Sequence, residues 1–168
     1  MTQKLIDIEK SSRHQKIIGS LGEHFVCNWL SRSGFEVTIV DHTGIDIIAY
    51  DPSTGKRLGI TVKSRTRNPG KEKESVNLFD NRKRANDRQK LTEACKAFEC
   101  EPWIAVYVEA TEHADLYLTS LSNYDDKYRR KRVVDDWKMS RRWLTAYDDD
   151  KEVKHLHIEF EAKDWFRK

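Results

Sequence analysis

The apolar positions of this 168-residue chain change period along its length. Between residues 13 and 32, Ile17, Ile18, Leu21, Phe25, Val26, Trp29 and Leu30 recur at helical spacing, and Gly34 follows as a stop. The pattern then turns to strands. FEVTIV (35–40) reads as one strand, and IDIIAY and LGITV flank the polar turn Asp51-Pro52-Ser53-Thr54-Gly55 as a β-hairpin. Asn68-Pro69-Gly70 breaks the chain. A charged loop then leads to a second helix expected over about 80–99, with Leu91, Ala94, Cys95 and Phe98 as its apolar stripe. WIAVYV after Pro102 is apolar on both faces, as in a central strand. DLYLTSL gives a further strand, and the alternation of Leu156, Ile158 and Phe160 marks a last one. The segment at about 122–150 is charged and reads as irregular, with room for one helix and with Trp137 and Trp143 as packing anchors. Together these predict an N-terminal arm (1–12) and a single α/β domain (13–168). Its mixed central sheet is flanked by helices around an α-β-β-β-α-β core, with 122–150 as an insertion.

The turn sets the register of the hairpin. With Asp51 facing Lys56, Tyr50 falls opposite Arg57 and Asp46 opposite Thr61. Lys63 then projects from the same face as Thr61. A slip of one residue would scatter this set. In register, Asp46, Thr61 and Lys63 converge at the open end of the sheet. An acid and an ammonium there suit metal-assisted phosphodiester chemistry. A carboxylate holds a hard cation such as Mg²⁺, which activates water and neutralises phosphate charge. The lysine positions that water and stabilises the transition state. The plainer alternative is a salt bridge across a hairpin.

Composition narrows the class. Apolar residues make up 38% and charged residues 35%, which describes a globular, well-solvated chain. No run approaches the ~18 apolar residues of a membrane helix. The opening MTQKLIDIEKSSRHQK has no apolar core for a signal peptide, which argues for a cytoplasmic protein. Cys27, Cys95 and Cys100 form no Cys-x-x-Cys pair and leave one thiol over from any disulfide, as expected in a reducing compartment. The net charge is only +3, yet residues 63–90 carry ten Lys/Arg against four acids. A solvated surface explains such a run, and so does a polyanion footprint. The run begins at Lys63, beside the convergent set, and this favours phosphate contacts by Arg65, Arg67, Lys71, Lys73, Arg82, Lys83 and Arg84.

Other chemistries find less support. Glycine-rich phosphate loops are absent, and Ser64 has no His–Asp partner arrangement. Asp41-His42 reads as a surface pair. His155 and His157 share one strand face at a spacing that suits zinc, but no cysteine or third histidine stands near them in the sequence.

Glu23 on the first helix, the strand head Gly44-Ile45-Asp46 and the run Ile60-Thr61-Val62-Lys63-Ser64 together resemble the PD-(D/E)XK nuclease superfamily. The likeness covers roughly 19–108 and is nearest to its Holliday-junction-resolvase-like and small restriction-type members. It implies a restriction-endonuclease-like fold and Mg²⁺- or Mn²⁺-dependent cleavage of DNA. By resemblance, Asp46 is the metal-binding aspartate, Lys63 the catalytic lysine, Glu23 the helix glutamate, and the Val62 carbonyl a further metal oxygen. Thr61 departs from the pattern, since the family places Glu, Asp or Gln there. Two readings stay open: a metal-dependent endonuclease, and a non-catalytic nucleic-acid-binding or protein-interaction module on the same fold. An RNA-directed nuclease is a third. The sequence is silent on oligomeric state; junction-cutting members of the family generally work as dimers, which makes a homodimer one option.

Overall fold

The computed structural model describes residues 7–82, 86–130 and 133–161. Helix α1 (His14–Arg32) precedes a meander of β1 (Glu36–Ile39), β2 (Ile47–Tyr50) and β3 (Arg57–Thr66). A short strand β4 (Val76–Asp80) and helix α2 (Asp87–Ala97) lead into β5 (Glu101–Glu109) and β6 (His113–Ser120). Helix α3 (Leu121–Lys127), β7 (Val134–Trp137), α4 (Arg141–Asp148) and β8 (Lys154–Glu159) complete the described chain. The main sheet runs β1-β2-β3-β5-β6-β8, with β3 and β5 parallel and the other neighbours antiparallel. Strands β4 and β7 form a separate two-stranded ribbon. Helix, three-strand meander, helix and parallel strand follow in the order expected of a restriction-endonuclease-like core, with β4 added.

The sheet separates two apolar layers. On one face, Ile18, Val26 and Leu30 of α1 pack on Ile47, Ala49, Leu58, Ile60, Ala105 and Tyr107. On the other, Leu91, Ala94 and Cys95 of α2 join Ile104, Val106, Tyr117, Trp137 and Tyr147. Two glycines let the helices come close to β3. A side chain at Gly22 would strike Ser64 Oγ, and one at Gly59 would strike Cys95 Sγ. Gly22 precedes Glu23, so the close approach of α1 sets where that carboxyl sits.

The hairpin closes as its turn dictates. Asp51 Oδ1 accepts from Ser53 N–H (2.9 Å) and Asp51 Oδ2 from Thr54 Oγ1 (2.8 Å). The Asp51 N–H reaches the Lys56 carbonyl at 2.8 Å, and Gly55 takes the positive φ of 75° that the tight reversal requires. Tyr50 pairs with Arg57 and Ile47 with Ile60.

Three expectations are corrected. The helix expected from residue 80 begins at Asp87, where the Asn86 side chain caps it by accepting from Gln89 N–H at 2.9 Å. The preceding residues are β4 and a turn containing Arg82, so Arg82 does not start a helix; Lys83 and Arg84 lie outside the described residues. The stretch at 122–150 is regular rather than irregular, carrying α3, β7 and α4. Trp137 is fully buried there and stacks on Tyr147 with ring centres 4.0 Å apart. Phe160 falls just past β8 and is 40% exposed.

Candidate active site

Strand β3 runs on beyond the point where β2 begins, and Asp46 fills the step. Its N–H donates at 2.9 Å to the carbonyl of Ile60, the residue that Ile47 already faces, and its own carbonyl accepts from Val40 N–H at 2.9 Å on the β1 side. Ile45 packs in the α2 layer and Ile47 in the α1 layer, so the regular alternation of faces is broken across Asp46. The carboxylate is held there. Asp46 Oδ2 accepts from Val62 N–H at 2.6 Å and from Thr61 Oγ1 at 3.1 Å. The N–H and C=O of one strand residue point to the same edge, so the Val62 carbonyl faces the edge that Asp46 occupies.

Glu23, on α1, lies close enough to Asp46 to feel its charge. Its carboxyl is held above the ordinary value, first by burial and then by the charge of Asp46. The same carboxylate helps burial to raise the Cys27 thiol one helical turn on. Hard oxygens from Asp46 and Glu23, with the Val62 carbonyl, are the donor chemistry that Mg²⁺ and Mn²⁺ accept. The residues fit such an ion, one carboxylate short at Thr61.

Lys63 projects from the Thr61 face, where it meets a residue the sequence pattern did not single out. Its Nζ lies 3.6 Å from Asp87 Oδ2 in the first turn of α2, and Lys90 Nζ lies 3.7 Å from the other oxygen. Asp87 is 53% exposed and Lys63 23%, so the pair is open to solvent on one side. An acid in the first helical turn is a common dipole partner, and that was the only local signal for Asp87.

The candidate phosphate contacts divide into two kinds. Arg67 is committed internally: its Nη2 donates to the Ser75 carbonyl at 2.9 Å, and only 15% of its side chain is exposed. Arg65 donates to the Ser64 carbonyl at 2.7 Å. Lys71 (64% exposed, beside Glu74) and Arg82 (69% exposed, forked onto Asp80) stand at the surface, as does Lys73.

A prediction arises from Glu23. A carboxyl whose folded value is raised favours the fold while protonated, and that contribution is lost as pH rises through the folded value. Without metal, Glu23→Gln should therefore melt higher than the parent at pH 7.5. The gap should shrink as pH falls toward the unfolded value for glutamate. Thermal melts across pH with a chelator present check this, and a gap that does not vary with pH contradicts it.

No protein-family model and no curated protein matches the chain. Among solved structures, it is similar to Hjc, a Holliday junction resolvase from the archaeal hyperthermophile Archaeoglobus fulgidus. The match is at 16% identity and TM-score 0.49, covering 69% of this chain and 83% of that one. It is also similar to the bacterial homing endonuclease I-Ssp6803I, at 12% identity and TM-score 0.40, covering 91% of this chain and 81% of that one. At these scores neither likeness transfers a function.

Proposed function

We propose that the chain is a divalent-metal-dependent nuclease that hydrolyses phosphodiester bonds in DNA. The observation that carries this reading is the Asp46 carboxylate, fixed just before β2 by Val62 N–H and Thr61 Oγ1, with the Glu23 carboxyl close enough to feel its charge. Asp46, Glu23 and the Val62 carbonyl would hold Mg²⁺ or Mn²⁺, with Thr61 fixing the Asp46 carboxylate. The bound ion would supply charge neutralisation for the phosphodiester and an acidified water. Lys63, exchanging Asp87 for substrate, would donate to a phosphate oxygen or orient the attacking water. Lys71, Lys73 and Arg82 would grip flanking phosphates, which positions the strand without reading its bases. Three free thiols and no membrane-crossing helix among the described residues suit a reducing, cytoplasmic setting.

A second reading has its own support. The neutral Thr61 and the engagement of Lys63 by Asp87 suit a module that binds nucleic acid without cutting it. Thr61→Glu separates the two. Restoring an acid should tighten Mn²⁺ binding by roughly tenfold, since ligand charge tunes oxygen sites, and should speed nicking of supercoiled plasmid, at some loss of metal-free stability from the added repulsion. Unchanged metal affinity and no nicking in either protein favour the binding module.

Affinity for duplex DNA should fall steeply with salt. Replacing Lys71, Lys73 and Arg82 by Ala should flatten the slope of log K against log salt by about two to three, near one for each lost phosphate contact. An unchanged slope would make these charges a solvated surface.

A further inference from the structure

Away from the acid pair, the far edge of the sheet carries a second cluster of donor groups. Strand β8 is the last strand of the sheet and pairs with β6, setting His157 opposite Asp115 and His155 opposite Tyr117. Asp115 Oδ1 lies 2.8 Å from both His155 Nε2 and His157 Nδ1. One donor atom from each of these three residues lies within 4.8 Å of the other two. His113, two residues before Asp115 on the same face, places Nε2 3.8 Å from Asp115 Oδ2, and its ring centre is 5.6 Å from that of His157. The sequence pattern showed only the histidine pair on β8. The topology supplies the acid and the third imidazole from β6.

We propose that Asp115, His155 and His157, with His113 as a fourth donor, bind a borderline divalent cation such as Zn²⁺, Co²⁺ or Ni²⁺. Three features argue for a built site. First, His155 is oriented on both sides: Asp148 Oδ1 of α4 holds its Nδ1 at 2.7 Å, and its ring stacks on Tyr117 with centres 4.4 Å apart. A carboxylate behind one imidazole nitrogen fixes the tautomer that leaves the other nitrogen free for metal. Second, the donors already stand at separations that small side-chain rotations adjust to tetrahedral bonds of about 2.0–2.2 Å. Third, Asp115 is only 13% exposed while His157 is 48% exposed, so the acid is anchored and the open side admits an ion. Imidazole nitrogen selects this class of metal over Mg²⁺, which prefers oxygen. The site is therefore chemically distinct from the acid pair at Asp46. Occupied, it would clip the edge strand β8 to β6 and, through Asp148, to α4.

The test uses the full chain stripped with a chelator. Zn²⁺ at a hundredfold excess over its dissociation constant should raise the melting temperature by roughly 5–10 °C, where Mg²⁺ acting at this cluster should not. Co²⁺ should give the ligand-field absorption of a four-coordinate nitrogen–oxygen site. His157→Gln and Asp115→Asn should each remove the Co²⁺ signal and most of the Zn²⁺ shift, while Asp46→Ala keeps both. If Asp115→Asn fails to fold, His157→Gln at its exposed position decides the matter. No Zn²⁺ shift in the parent, or a shift that survives His157→Gln undiminished, overturns the proposal. Because Asp46→Ala is the control, loss of this site and loss of the nuclease reading are read separately.

Discussion

Asp46→Ala should abolish metal-dependent DNA cleavage, lowering the rate by at least about 10³-fold, because a cation offset of several kcal/mol at the phosphodiester goes with it. The substitution removes the one acid that the β2–β3 step fixes with two hydrogen bonds, from Val62 N–H and Thr61 Oγ1. It also frees Glu23 from its neighbour's charge, so the Glu23 carboxyl should move back toward its ordinary value. Asp46→Asn separates structure from chemistry. Its amide oxygen can still accept the Val62 and Thr61 bonds, so the fold should persist while metal binding and cleavage are lost. Full activity in Asp46→Asn would mean that the carboxylate charge does nothing there. The readouts are plasmid nicking, Mn²⁺ titration calorimetry and melting curves on the same preparations.

Asp135→Ala should destabilise the protein by about 3–5 kcal/mol, the range for stripping one partner from a buried ion pair. Asp135 sits on β7 with no side-chain exposure and takes Arg88 Nε and Arg129 Nε at 3.0 Å each. Arg88 also forks onto Asp125 at 2.8 and 2.9 Å, tying α2 to α3 and β7 at one point. Removing Asp135 leaves Arg88, which lies over the Phe79 ring, with Asp125 alone and takes from Arg129 the acceptor of its Nε. Asp125→Ala, at a third exposed, should cost far less, about 1 kcal/mol. For a chain of this size the Asp135 loss corresponds to a melting shift of roughly 6–20 °C. Denaturant titration of both variants checks the order. Equal costs would mean the network is not centred on Asp135. The consequence reaches the site, since the helix that Arg88 anchors also carries Asp87, the partner of Lys63.

That network explains why part of the fold was hidden in the sequence. The α1 stripe and the β2–β3 hairpin announce themselves locally, through spacing in one and a turn in the other. Strand β7 does not. Val134-Asp135-Asp136-Trp137 places two acids in a short strand, and the burial of Asp135 makes sense only once Arg88 and Arg129 arrive from distant elements. Strand β4 is masked in another way, because the irregularity between Asn77 and Phe79 breaks its alternation. The late start of α2 was legible in principle: Asn86 is a cap residue set just before an acid. The site divides along the same line. Turn counting holds as far as Ile47 opposite Ile60; the ladder breaks one residue on, and Asp46 meets Thr61 through a side-chain hydrogen bond instead. Glu23 lies at the edge of a helical stripe, and its place beside Asp46 depends on how closely Gly22 lets α1 approach β3. Asp87 and the Asp115–His155–His157 cluster need tertiary docking and strand order, which no local pattern contains.

The role proposed for Asp46 and Glu23 is to hold the divalent metal with which the protein cleaves DNA. Its most direct test is the incubation of purified protein with end-labelled duplex, nicked, branched and single-stranded DNA, and RNA, each with Mn²⁺, with Mg²⁺ and with chelator alone. The expected result is cleavage of at least one DNA substrate that requires metal, is stronger with Mn²⁺ than with Mg²⁺, and disappears with chelator. Intact substrates under every metal condition, in a protein that still binds the same DNA, would contradict it.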